Sequence, residues 1–140
     1  MTTKQYLGQI ERLNKMIDNK LLEIRDIRDR IYSVSAQTDK ERVQTSNSKD
    51  SIGEAVSRLV DLERETDKLV DSFVSKKQKI ISQIDKLEKT EQYEILTYRY
   101  VQRRSFDDIC GKMNMSRRKM FTIYGQALKE FERLYGETYI

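Results

Sequence analysis

Residues 103–123, RRSFDDICGKMNMSRRKMFTI, place two helix starts and one tight turn in close succession. Ser105 is a good N-cap, and Asp108 three residues on gives a capping-box-like start with a shorter acid. The helix opened there runs to about Met113. Asn114-Met115 then make a tight turn, where Asn114 tolerates the positive φ that glycine usually supplies. Ser116 caps the next helix, which ends near Tyr135 with Gly136 as its stop signal. A preceding helix covers Glu91–Gln102, and Arg103-Arg104 form a basic turn between it and Ser105. Ile109, Met113, Met115, Met120 and Ile123 put apolar side chains where the last two helices must meet that first one. Cys110 supplies the small side chain that a close helix approach requires. This is the layout of a helix-turn-helix.

The charge within this stretch is unevenly placed. Between residues 103 and 119, six cations (Arg103, Arg104, Lys112, Arg117, Arg118, Lys119) face two anions (Asp107, Asp108), an excess equal to the +4 of the whole chain. Arg117, Arg118 and Lys119 fall in the first turn of the last helix, where the macrodipole is positive and each cation costs roughly 0.3–1 kcal/mol at low ionic strength. A sequence tuned for stability alone places Asp or Glu there. A helix whose N-terminal end enters a DNA major groove places Arg and Lys there.

Upstream the texture is different. Ile10, Ile17, Ile24 and Ile31 form one heptad register, and Leu13, Ile27 and Val34 form the other, with Lys20 the lone polar intruder. The spacing predicts one long helix over residues 3–34. The polar run 35–50 reads as a flexible connector, with Val43 its one large apolar residue. A second long helix is expected from Ser51, with Glu54 completing a capping box, and its stripe includes Ile52, Ala55, Leu59, Leu62, Leu69, Phe73, Ile80, Ile84 and Leu87. The fold class expected is therefore all-α: long coiled-coil helices over 1–89 followed by a helix-turn-helix unit over 90–140. An antiparallel hairpin is the simplest pairing of the long helices. One hairpin leaves its seam with little else to cover it, so a homodimer through the heptad helices is expected. From about residue 90 the chain turns aromatic, with Tyr93, Tyr98, Tyr100, Tyr124, Tyr135 and Tyr139 among its eight tyrosines, which marks a packed unit.

Composition narrows the function. Charged residues make up 36%, apolar residues 37%, and mean hydropathy is −0.77. That supply fills a narrow stripe on long helices plus one small core. No histidine is present, which removes His-based catalysis and His-containing metal sites. No catalytic constellation and no cofactor motif is found, so no enzyme activity is expected. The single cysteine excludes an intramolecular disulfide framework and points to a reducing cytoplasm. No apolar run approaches the roughly 18 residues of a membrane span, and the opening residues lead into polar helix and not a signal-peptide core.

The stretch from Tyr93 to Leu134 resembles region four of bacterial sigma factors. More narrowly, it is similar to small phage-encoded transcriptional regulators of the ArpU/RinA kind. The markers are Tyr98-Arg99-Tyr100, Ser105-Phe106-Asp107-Asp108-Ile109, Met115-Ser116-Arg117-Arg118-Lys119 and Ala127-Leu128. Cys110 stands where alanine is usual and Asn114 where glycine is usual. The sigma regions that bind the −10 element have no counterpart. The resemblance implies double-stranded DNA as a partner and host RNA polymerase as a second.

The candidate DNA-binding residues follow. Arg117 and Arg118 reach base edges or phosphates, and Lys119, Arg103 and Arg104 neutralise backbone. Ser116 both caps the helix and touches a phosphate. Thr122 is a base or phosphate contact, and Phe121 either meets a thymine methyl or packs. Arg99 is expected in a structural ion pair with Asp108. Two other readings stand beside regulation: a phage small terminase subunit for DNA packaging, and a coiled-coil protein-interaction adaptor.

Overall fold

The computed structural model describes the backbone of residues 1–40 and 45–140, and the side chains of residues 1–33 and 52–140. Every regular element among them is helical, so the fold is all-α. In chain order these are α1 (Thr3–Leu7), α2 (Gln9–Lys40), α3 (Thr45–Asp85), α4 (Thr90–Leu96), a π-helical segment (Thr97–Val101), α5 (Phe106–Met113), α6 (Arg117–Tyr135) and a 3-10 turn (Gly136–Thr138). Among the described residues no helix is long and apolar enough to cross a membrane.

Both long helices outrun their expected limits. Helical backbone reaches Lys40 and resumes at Thr45, so most of the connector expected over 35–50 is helix. Residues 41–44, Val43 among them, lie outside the described residues. Ser51 sits inside α3, so the Ser51–Glu54 capping box is not its start. The Ser/Thr/Asn content of this run suggested a loop. Those residues have only modestly poor helix propensity, and a long helix carries them at small cost.

The chain divides into two compact units, Asn14–Ser72 and Met1–Leu13 with Phe73–Ile140. Residue texture alone divides the chain at residue 90. By packing, the last part of α3 belongs with the C-terminal helices.

In the first unit, α2 and α3 pair as an antiparallel hairpin. Ile24, Ile27 and Leu62 are buried, with Ile31, Ala55 and Leu59 packed against them. Lys20 pairs with Glu65 at 3.7 Å, Arg28 with Glu63 at 2.5 Å, and Arg58 with Glu23 at 3.7 Å across the seam. The lone polar intruder of the heptad thus reaches the rim and finds an acid. Thr66 is buried in the seam, its hydroxyl donating to the Leu62 carbonyl at 2.7 Å. The side chain of Val34 lies outside the described residues.

The second unit has the larger core. Leu7, Ile80, Ile84, Ile95, Leu96, Ile109, Met120, Ala127 and Phe131 are fully buried within it. Burying each large aliphatic or Phe side chain contributes roughly 1.5–3 kcal/mol. Helix α6 packs along α4 and against α5. The N-terminus is bound into this core. Thr2 caps α1 through a full capping box with Gln5. Tyr6 stacks on Tyr139 with ring centroids 4.4 Å apart, and its hydroxyl donates to Gln83 Oε1 at 2.6 Å. Burial is the main cause of the raised pKa values of Tyr6 and Tyr139. Gly136 follows α6 with a right-handed φ of −54°, so no left-handed glycine cap ends the helix. A Cβ there would lie 3.1 Å from Glu132 Cγ, which makes the position crowded.

Candidate nucleic-acid interface

Three local devices build the site. Ser105 Oγ accepts from the Asp108 amide at 3.1 Å and starts α5. Asn114 takes φ 52° and ψ 52°, the left-handed conformation expected of the turn. Ser116 Oγ accepts from the Lys119 amide at 3.2 Å and starts α6. Ile109 and Met120 are fully buried and Ile123 nearly so, while Met113, Met115 and Cys110 pack at the edge of the same core. The apolar positions that set the angle of α6 are thus satisfied.

The first turn of α6 carries no acid. Arg117, Arg118 and Lys119 are all exposed. Arg117 Nη1 lies 2.6 Å from Asp107 Oδ1, and its guanidinium sits 5.6 Å from the centroid of Phe121. Asp107 belongs to the first turn of α5, so the two helix starts meet through this pair. Arg118 and Lys119 make no ion pair and no side-chain hydrogen bond among the described residues. The macrodipole opposes both, and no acid among the described residues pairs with either.

The other candidates take distinct positions. Thr122 is exposed, and its hydroxyl donates to the Arg118 carbonyl at 2.9 Å. Phe121 is 38% exposed, with its ring tilted against Phe106 at 4.9 Å, so one face packs and the other is open. Arg103 is exposed and adopts φ 56°, a left-handed conformation that a branched-off side chain pays for with roughly 1–2 kcal/mol. Arg104 is tied back: Nη1 lies 2.8 Å from Asp108 Oδ2, and Nε donates to Gln102 Oε1 at 2.7 Å. The expected Arg99–Asp108 pair is therefore replaced by Arg104–Asp108. Arg99 stacks over Phe106 at 4.0 Å and donates to the Arg104 carbonyl at 3.0 Å.

A π-helical turn makes that arrangement. From Thr97 the helix widens, the Gln102 amide reaches the Thr97 carbonyl at 2.9 Å, and the Arg104 amide reaches Tyr98. The expected helix over 91–102 is thus α only to Leu96. Tyr100 and Tyr124 share a hydrogen bond at 2.5 Å. Burial, then that bond, raises the Tyr100 pKa strongly.

Two further residues belong to the exposed face. At about 100° per residue, Lys129 lies in line with Arg118 and Thr122, and Gln126 flanks them. Both are exposed. Gly125 lies between Thr122 and Lys129 on this face, and a Cβ there would meet nothing within 4 Å. A glycine inside a helix costs about 1 kcal/mol relative to alanine, and packing within the chain does not demand it here. The spacing 118, 122, 125, 129 was available in the sequence as the outward complement of the buried stripe.

The fold and this surface define an all-α protein that presents a cationic helix start beside a turn, with Arg118 and Lys119 unpaired among the described residues. The chain belongs to the family described as "Protein of unknown function (DUF1492)", which matches residues 30–132. No curated protein and no solved structure matches it.

Proposed function

We propose that α5 and α6 form a helix-turn-helix that binds double-stranded DNA, and that the protein is a sequence-specific transcriptional regulator of phage type acting in the cytoplasm. Helix α6 enters the major groove by its N-terminal end. Arg118 and Lys119 take phosphates, Arg117 is offered to a base edge by Asp107, and Thr122 and Phe121 lie one turn further along the groove. Arg103 meets backbone at the flank, while Arg104 mainly braces the turn. Contact with host RNA polymerase follows from the sigma-like resemblance, and a second copy of the chain supplies the second recognition helix.

The observation that supports this reading best is the pair Arg118 and Lys119, exposed and without an ion-pair partner among the described residues, at the positive end of α6. A polyanion supplies the negative charge that the described residues do not place there. The test is a fluorescence titration of labelled random duplex across a range of salt. Binding whose affinity falls steeply with salt, by about 0.9 in log–log slope per phosphate engaged, supports it. No binding at low salt overturns it.

A further inference from the structure

Helix α3 bears a second apolar stripe outside the heptad seam. Val56, Val60 and Val70 are all exposed, as are Leu21 and Tyr32 of α2. At about 100° per residue each set falls along one side of its helix, roughly a quarter turn from the buried seam. Arg28 lies between Leu21 and Tyr32 on its stripe, and Glu63 lies between Val60 and Val70 on the other. The Arg28–Glu63 pair at 2.5 Å therefore puts both stripes on the same side of the hairpin.

Solvent gives no reason for these residues. Valine is a poor choice for a water-facing helix position, where alanine, glutamate or lysine favour the helix more. Gly53 lies on the same side of α3, and a Cβ there would meet nothing within 4 Å. A small residue beside a branched apolar ridge lets another helix approach closely. The charges identify that helix. The α2 stripe is basic in its middle, at Arg25 and Arg28, and the α3 stripe is acidic, at Glu63 and Asp67. Arg25 and Asp67 are exposed and make no ion pair among the described residues.

We propose that this side of the hairpin is the interface with a second copy of the chain. A two-fold axis parallel to the hairpin lays the α2 stripe of each copy antiparallel on the α3 stripe of the other. Tyr32 then falls level with Val56 of the second copy, and Arg25 with Glu63, and the same contacts recur by symmetry. The result is a four-helix bundle. The heptad seam stays within each chain, which moves the expected dimer contact from the seam to its flank. The proposal does not rest on the DNA-binding reading.

Sedimentation equilibrium of the full chain without DNA tests it. The wild type is expected at twice 16.7 kDa in the micromolar range. Val60→Glu with Val70→Glu is expected at the single-chain mass, with far-UV circular dichroism unchanged. Val60→Ala with Val70→Ala, which favours the helix, keeps the test sound if the glutamates disturb folding; it should weaken the dimer at least tenfold. Arg25→Glu should weaken it at low salt and less at high salt. A monomeric wild type, a larger ring, or a dimer indifferent to the alanine pair overturns the proposal.

Discussion

The cations that flank the hairpin seam and those that open α6 are partnered differently. In the hairpin Lys20, Arg28 and Arg58 each reach an acid on the neighbouring helix. At α6 only Arg117 has such a partner, and Arg118 and Lys119 have none among the described residues. Both regions are exposed, so solvent screening is similar and does not explain the contrast. The seam cations are matched within the hairpin, whereas on the proposed reading the first turn of α6 is matched by a polyanion from outside. The cores differ too, since the hairpin buries a thin seam and the α4–α6 unit an aromatic cluster.

The contrast can be sharpened by substitutions. Phe131→Ala should cost about 3–5 kcal/mol, because a fully buried ring leaves a cavity among Tyr6, Tyr135 and Tyr139. Chemical denaturation followed by tyrosine fluorescence measures it. Alkali should act on the same unit. Tyr6, Tyr100 and Tyr139 have raised pKa values, chiefly through burial. Below pH about 10 the phenols are neutral in both folded and unfolded chains, and their contribution is complete. As pH rises further the unfolded chain ionises first, and stability falls until the folded values are passed. Tyr100→Phe should reduce that alkaline loss, read as thermal midpoint against pH.

A smaller effect separates stability from binding. Gly125→Ala should stabilise the protein by about 1 kcal/mol, since a helical glycine is replaced where nothing crowds a Cβ. The same change should weaken DNA binding, because it puts a methyl on the outward face of α6. A variant that is stabler yet binds equally well would show that face to be idle. Smallest of all, Arg58→Gln should cost below about 1 kcal/mol by thermal melting, as exposed ion pairs do.

Legibility in the sequence followed locality. Capping by Ser105 and Ser116 and the left-handed Asn114 are short-range matters, and residue type and spacing expressed them directly. The apolar spacing that buries Ile24, Ile27 and Leu62 was readable for the same reason. The Asp107–Arg117 pair was not, because it joins two helix starts whose meeting depends on packing around Ile109 and Met120. The π turn at Thr97–Val101 leaves no mark in composition, and the left-handed Arg103 after it carries a side chain that ordinarily avoids that conformation. The stacking of Tyr6 on Tyr139 spans nearly the whole chain, and no periodicity reports a contact of that range.

The most direct test is the salt dependence of duplex binding by wild type and by Arg118→Ala with Lys119→Ala. Loss of two phosphate contacts should lower the log–log slope by about 2 and weaken affinity at low salt, with helical content unchanged. An unchanged slope and affinity would contradict the assignment of α6 as the helix that meets DNA.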